Sequence, residues 1–268
     1  MSVPNADNLT AHEIIDIIES VAPLRQQEGW DNSGLQVGSR ETKVARVLLC
    51  TDVSDAIVEE AVAKHCQMII SHHPLLFHGL KRIEGVTRQE RCVISAVKAG
   101  IVIYSSHTAM DSYLHGVSGK MADKIGISNY KILSPTSEDA GLGVIGNLPA
   151  PITVEQMLQL LSSEFQTEFI RYVVRDRADN LIHKVALCGG AGAEFMEEAI
   201  AQNADAYVTA DCKYHEFQAV DGRINMFSIG HFESEQFTKE IFRDLLAGSP
   251  VECLFAENDC NFIKIYNK

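Results

Sequence analysis

Val58-Glu59-Glu60-Ala61-Val62-Ala63-Lys64, followed by Met68-Ile69-Ile70-Ser71-His72-His73-Pro74, is the stretch from which the fold can be read. Residues 58–64 place apolar side chains at helical spacing, and the apolar run from Met68 is a short buried strand. The alternation extends both ways. Val47-Leu48-Leu49-Cys50 reads as a strand before the helix; residues 93–99, closed by Gly100, read as a helix leading into a strand at 101–104. Short buried strands alternating with helices indicate an α/β sheet with helices on its faces. Upstream, Thr10 and Glu13 make a capping box for a first helix, whose apolar face is Ala11, Ile14, Ile15, Ile18 and Val21 until Pro23 stops it. Trp30-Asp31-Asn32-Ser33-Gly34 reads as a turn.

The second half repeats the pattern. Ser134-Pro135, Gly141, Gly143, Gly146, Pro149 and Pro151 suggest a loop-rich domain crossover. Thr153 and Gln156 then open a helix over 154–165. Strands are expected at 185–188 and 206–209, a helix at 195–201, a last helix near 235–246, and two short strands at 252–255 and 262–266. A shift of 138 residues carries Val47-Leu48-Leu49-Cys50 onto Val185-Ala186-Leu187-Cys188 and Val58-Glu59-Glu60-Ala61 onto Met196-Glu197-Glu198-Ala199. Buried strands and amphipathic helices resemble one another anyway, but one shift matching two pieces favours duplication.

Composition narrows the function. A net charge of −13 argues against a broad nucleic-acid surface, which needs clustered Lys and Arg. No apolar run approaches the roughly 20 residues of a membrane helix, and the first residues lack the pattern of a secretory signal. The seven cysteines are scattered without a C-x-x-C pair, which suits buried thiols in a reducing compartment. The expectation is a soluble cytoplasmic protein.

Three segments carry chemistry. His72-His73 follows a strand, where ligand sites of open α/β sheets lie. On an extended backbone, restricted by Pro74, the two imidazoles are expected to point apart and serve two ions. His107 and Asp111, four residues apart, follow the strand at 101–104; His231 and Glu235, also four apart, follow Met226-Phe227. If a helix starts at each, both donors share one face, and carboxylates suit a position bridging two cations. One such segment would be a helix cap or a satisfied histidine; three together point to metal. Since one centre needs donors from both ends of the chain, residues 1–129 with 228–268 are expected to form a discontinuous metal-binding α/β domain around an inserted α/β domain at 130–227.

The sequence resembles the GTP cyclohydrolase I type 2 homologues, the NIF-three-like proteins. The resemblance rests on Trp30-Asp31-Asn32-Ser33-Gly34-Leu35-Gln36-Val37-Gly38, Ser71-His72-His73-Pro74-Leu75, His107-Thr108-Ala109-Met110-Asp111, Cys188-Gly189-Gly190-Ala191-Gly192, Asp205-Ala206-Tyr207-Val208-Thr209 through Tyr214-His215, and Gly230-His231 to Glu235, in order over nearly the whole chain. It implies two α/β domains, a dinuclear centre held by His72, His73, Asp111, His231 and Glu235, and assembly as a homohexamer. Departures are His115-Gly116-Val117-Ser118, Thr209-Ala210-Asp211, and Gln236 in place of an arginine. His plus carboxylate ligation suits two divalent ions per chain, of zinc, manganese, iron or cobalt. The expected activity is metal-dependent hydrolysis of a nucleotide or other small phosphate-bearing substrate, with His107 as acid/base or as an orienter of Asp111. The alternative is a non-catalytic metal-binding assembly that recruits a partner. Lys81 and Arg82 could meet a phosphate, though loop cations are more often solvated. Tyr214-His215 either approaches the metal cavity or decorates a degenerate copy of the first site's loop.

Overall fold

The structure is a computed structural model and describes residues 8–266. It divides into two compact α/β units: the chain up to Met110 together with Thr238–Cys260, and Asp111–Phe237 together with the tail from Asn261.

The first unit is built on a five-stranded sheet in the order Glu252–Phe255, Arg46–Cys50, Met68–Ser71, Val102–Ser105, Gly34–Val37. The first four strands are parallel and the fifth runs antiparallel. The central strands read as unbroken apolar runs because helices cover them: Leu48, Cys50, Ile69 and Ile103 pack against Ile57, Val58 and Ala61 of helix Asp55–Ala63 and Cys92, Val93 and Ala96 of helix Arg88–Ala99. Each fully buried aliphatic side chain contributes about 1.5–3 kcal/mol. Helix Ala11–Glu19 starts in the expected capping box, with the Glu13 amide donating to Thr10 Oγ1 at 3.2 Å. Gly100 ends Arg88–Ala99 at φ +67°, where glycine is the unstrained residue. Helix Thr238–Leu245 packs on Arg46–Cys50 and on Ala11–Glu19, which brings Thr238–Cys260 into this unit.

The second unit carries a six-stranded mixed sheet in the order Tyr130–Pro135, Gly141–Thr153, Leu181–Ala191, Ala206–Ala210, Asn225–Ile229, Arg171–Val173. Its three parallel strands are Leu181–Ala191, Ala206–Ala210 and Asn225–Ile229. Val185, Leu187, Val208 and Phe227 pack with Met121 and Ala122 of helix Val117–Lys124 and with Met157, Leu161 and Phe165 of helix Val154–Phe165. The alternate residues Ala186, Cys188, Tyr207 and Met226 belong to a second cluster with Met196 and Ala199 of helix Met196–Ala201. The period of two between these sets is the pleat.

The internal repeat holds in register. Val47 pairs with Met68 in one sheet and Val185 with Ala206 in the other, so one shift of 138 residues relates both pairings. That shift carries His73 onto Asp211.

Several expectations need correction. The glycine- and proline-rich passage between residues 134 and 151 is a β-hairpin, Tyr130–Pro135 with Gly141–Thr153. Its glycines serve close approach: a Cβ on Gly141 would lie 2.3 Å from the Ser134 carbonyl oxygen, and one on Gly146 would lie 2.5 Å from Ile127 Cγ2. Pro149 and Pro151 fall where the ladder to Leu181–Ala191 shifts register, the place a strand tolerates a missing donor. The last helix is two, His231–Glu235 and Thr238–Leu245, and residues 262–266 form no strand. The domain boundaries also move. Residues 111–129, 228–237 and the tail from Asn261 lie in the second unit: Val117–Lys124 packs on Gly141–Thr153 and Leu181–Ala191, and His231–Glu235 packs on Leu181–Ala191 and Ala206–Ala210.

Candidate metal centre

In the first unit, strand Met68–Ser71 ends one residue before His72, and the chain leaves the sheet there. The His72 and His73 amides still donate to the Cys50 and Thr51 carbonyls, at 3.3 and 3.0 Å. The rings therefore do not diverge as on an extended strand; their centroids lie 4.9 Å apart at 49°. His107, two residues past Val102–Ser105, joins them at 5.2 and 5.4 Å. One donor atom from each of His72, His73 and His107 falls within 4.8 Å of the others, so these three could hold a metal ion.

Each ring is oriented through Nδ1. His72 Nδ1 donates to the Ser106 carbonyl at 3.1 Å, His73 Nδ1 pairs with Asp52 Oδ1 at 3.1 Å, and His107 Nδ1 with Asp31 Oδ1 at 2.8 Å. A carbonyl or ionised carboxylate only accepts, so each Nδ1 carries the donated hydrogen and Nε2 is the ring nitrogen that could meet a metal ion or a proton. Asp31 is the most elaborate of these anchors. Its side chain is fully buried and accepts from the Asn32 amide, Ser33 Oγ, the Thr108 amide and Thr108 Oγ1 at 2.7, 2.8, 3.1 and 2.6 Å besides His107. Burial alone would raise its pKa, but donation from His107, Thr108 and Ser33 holds the carboxyl far below the usual range.

In the second unit, Asp111 closes the single turn Thr108–Asp111, and His231–Glu235 supplies the expected i, i+4 pair. His231 Nε2 lies 3.1 Å from Glu235 Oε2, and His231 Nδ1 lies 2.7 Å from Asp211 Oδ2. Oxygens of Asp111 and Glu235 fall within 4.8 Å of each other. Burial would lower the His231 pKa, but hydrogen bonds with Asp211 and Glu235 raise it to about 11. Carboxylates on both ring nitrogens mark a place that attracts positive charge, as proton or metal. Gly190 makes room for this: its φ is +61°, and a Cβ there would lie 2.3 Å from Glu235 Oε1. Cys188 takes no part as a thiolate, since burial, with Asp111, Glu194 and Glu235 nearby, pushes its thiol well up.

Of the residues singled out in sequence, His72 and His73 thus gather in one unit, with His107 as a third imidazole, and Asp111, His231 and Glu235 gather in the other. Lys81 and Arg82 are exposed on the loop beyond His73. Tyr214, 77 % exposed, opens the short helix Tyr214–Ala219, where His215 Nδ1 meets Gln218 Oε1 at 3.1 Å; neither residue joins a donor group among the described residues. The anchors Asp31, Asp52 and Asp211 were missed in sequence. Asp211 had a signal, its correspondence to His73 under the repeat; Asp31 was absorbed into a turn motif.

The sequence profile of the Duf34/NIF3 (NGG1p interacting factor 3) family matches residues 9–261. A Clostridium perfringens protein named GTP cyclohydrolase 1 type 2 homolog is 34% identical over 229 residues, covering 84% of this chain and 86% of its own length. The NIF3 homolog of Schizosaccharomyces pombe is 29% identical, covering 87% of each chain. The crystal structure of a Bacillus cereus protein related to NIF3 superposes with a TM-score of 0.87 over 96% of this chain and 99% of that one, at 22% identity. The chain belongs to the Duf34/NIF3 family.

Proposed function

We propose that this member of the Duf34/NIF3 family is a metal-dependent hydrolase that binds two divalent ions through His72, His73, Asp111, His231 and Glu235 and acts on a nucleotide or other small phosphate-bearing substrate. The observation that carries the reading is the treatment of the imidazoles. Each of His72, His73 and His231 is clamped at Nδ1 by a carbonyl or carboxylate, the arrangement that orients metal-ligating histidines and raises their basicity. The donor chemistry fits borderline divalent ions, and five protein donors for two ions leave coordination positions for water and substrate. Ions so held would supply Lewis acidity toward a substrate oxygen and water activation near neutral pH. His107, whose Nδ1 pairs with buried Asp31, would accept a proton at Nε2 and return it to the leaving group. The GTP cyclohydrolase name of the bacterial relatives favours a nucleotide. We extend the proposal to a cytoplasmic homo-oligomer, a hexamer by family resemblance.

Elemental analysis of protein purified without added metal should find about two divalent ions per chain. Asp111→Ala and Glu235→Ala should lose most of that metal while circular dichroism stays that of the parent. Full metal in both variants would refute the ligand assignment. The loaded protein, assayed against nucleotide and phosphoester panels, should show turnover that a chelator abolishes. Metal binding without any turnover would instead identify a non-catalytic metal-binding assembly.

A further inference from the structure

We propose that Trp30 and Phe77 form an aromatic wall that stacks the planar base of a nucleotide beside the His72, His73 and His107 cluster. The inference rests on the metal-centre reading above and adds to it a recognition subsite. Trp30 is 59% exposed and Phe77 40%, although both are among the side chains that most favour burial. Their centroids lie 5.8 Å apart at 46°. Trp30 meets the His107 ring at 5.8 Å and 69°, and Phe77 meets it at 6.3 Å and 69°. Three rings are thus contiguous, with the innermost one in the donor cluster.

The exposure is held in place. The backbone following Trp30 is pinned by the buried Asp31 carboxylate and its five hydrogen bonds. The loop bearing Phe77 is laced to the Trp30 segment through Leu76: Asn32 Nδ2 donates to the Leu76 carbonyl at 2.6 Å, and the Leu76 amide donates to Gln36 Oε1 at 3.1 Å. Gln36 Nε2 in turn donates to the Asn32 carbonyl at 2.7 Å. Polar side chains that could simply be solvated are used to keep two large rings in water, side by side. A pinned pair of π faces is pre-organised for a flat ligand, because stacking then costs little ordering of the protein. Lys81 and Arg82 are exposed four and five positions beyond Phe77 on the same loop, which suits an anionic group attached to that ring.

Trp30 is the only tryptophan, so its fluorescence reports directly on the wall. The experiment titrates the metal-loaded full chain with GMP and, separately, with ribose 5-phosphate, which keeps the anion and lacks the ring. GMP should quench Trp30 saturably and ribose 5-phosphate should not. By calorimetry, Trp30→Leu, which keeps apolar bulk without a π face, should weaken GMP binding by about tenfold or more; Phe77→Ala should weaken it several-fold, and Trp30→Phe should restore most of the loss. Metal content, measured in parallel, should be the same in all variants. GMP that fails to bind the parent, or binds Trp30→Leu as tightly, overturns the proposal. A Trp30→Leu variant that changes only the mass of the assembly overturns it too, since the wall would then belong to a subunit contact. A parent without metal would sink the metal-centre reading instead, and the GMP titration would still decide the wall.

Discussion

Replacing Gly190 by alanine should strip the centre of metal without unfolding the protein. The added Cβ would sit 2.3 Å from Glu235 Oε1 and 3.4 Å from His231 Cε1. An ordinary carbon–oxygen contact is about 3.5 Å, so roughly 1 Å must be found. The backbone cannot easily yield it. The Gly190 amide donates to Ser234 Oγ at 2.9 Å, and its carbonyl accepts from Thr209 Oγ1 at 3.1 Å, both in buried surroundings. Relief therefore falls on the Glu235 carboxylate, while alanine at φ +61° adds about 1–2 kcal/mol of backbone strain. Metal–ligand distances tolerate only about 0.2 Å, so a shift of that size should cost at least the 10- to 100-fold in affinity typical of disturbed ligand support. Competition against a chromophoric chelator gives the affinity, and thermal unfolding of the metal-free protein gives the strain. Gly189→Ala is the control, because its Cβ would meet Val117 Cγ1 at 2.5 Å and so disturbs packing without touching the carboxylate. Equal metal affinity in Gly190→Ala and the parent would refute the assignment of Glu235 as a ligand.

Two further expectations concern stability. Glu60 is buried in the first unit; burial would raise its pKa, but Lys64 Nζ at 2.7 Å and the Glu257 and Asn258 amides at 2.8 and 3.0 Å lower it from 4.5 to about 2. A depressed carboxyl stabilises fully above its ordinary value and loses that contribution as pH falls through the folded one. Metal-free Glu60→Gln should therefore be about 3 kcal/mol less stable than the parent at pH 7, and the gap should narrow to roughly 1 kcal/mol by pH 3 in urea titrations; a gap independent of pH would contradict the carboxylate's role. Asp31→Asn replaces an acceptor of five hydrogen bonds with a group whose amide must face a donor, and should cost about 2–4 kcal/mol. A melting temperature within a degree or so of the parent would show that the network holds no such energy.

Local pattern carried much of this protein. Period and caps placed the helices Ala11–Glu19 and Val154–Phe165 and the buried strands before His72 and His107, because helix and strand periods and N-caps are properties of a few neighbouring residues. The i, i+4 spacing of His231 and Glu235 became a single helical turn with the pair 3.1 Å apart, for the same local reason. Tertiary structure decided the rest. The hairpin at Tyr130–Thr153 was hidden because its glycines answer to a partner strand, and a sequence shows a glycine without the atoms that crowd it. Strand Gly34–Val37 escaped notice because it is short and pairs at the sheet edge with Val102–Ser105, far along the chain. Asp31 meets His107 across 76 residues, Asp52 meets His73 across 21, and Asp211 meets His231 across 20. Which acid accepts an imidazole hydrogen bond is settled by which strand ends lie side by side, and strand order is a non-local choice that no local period encodes. The residue types able to bind metal were therefore legible in the chain, while the hydrogen bonds that aim them exist only after the sheets have formed.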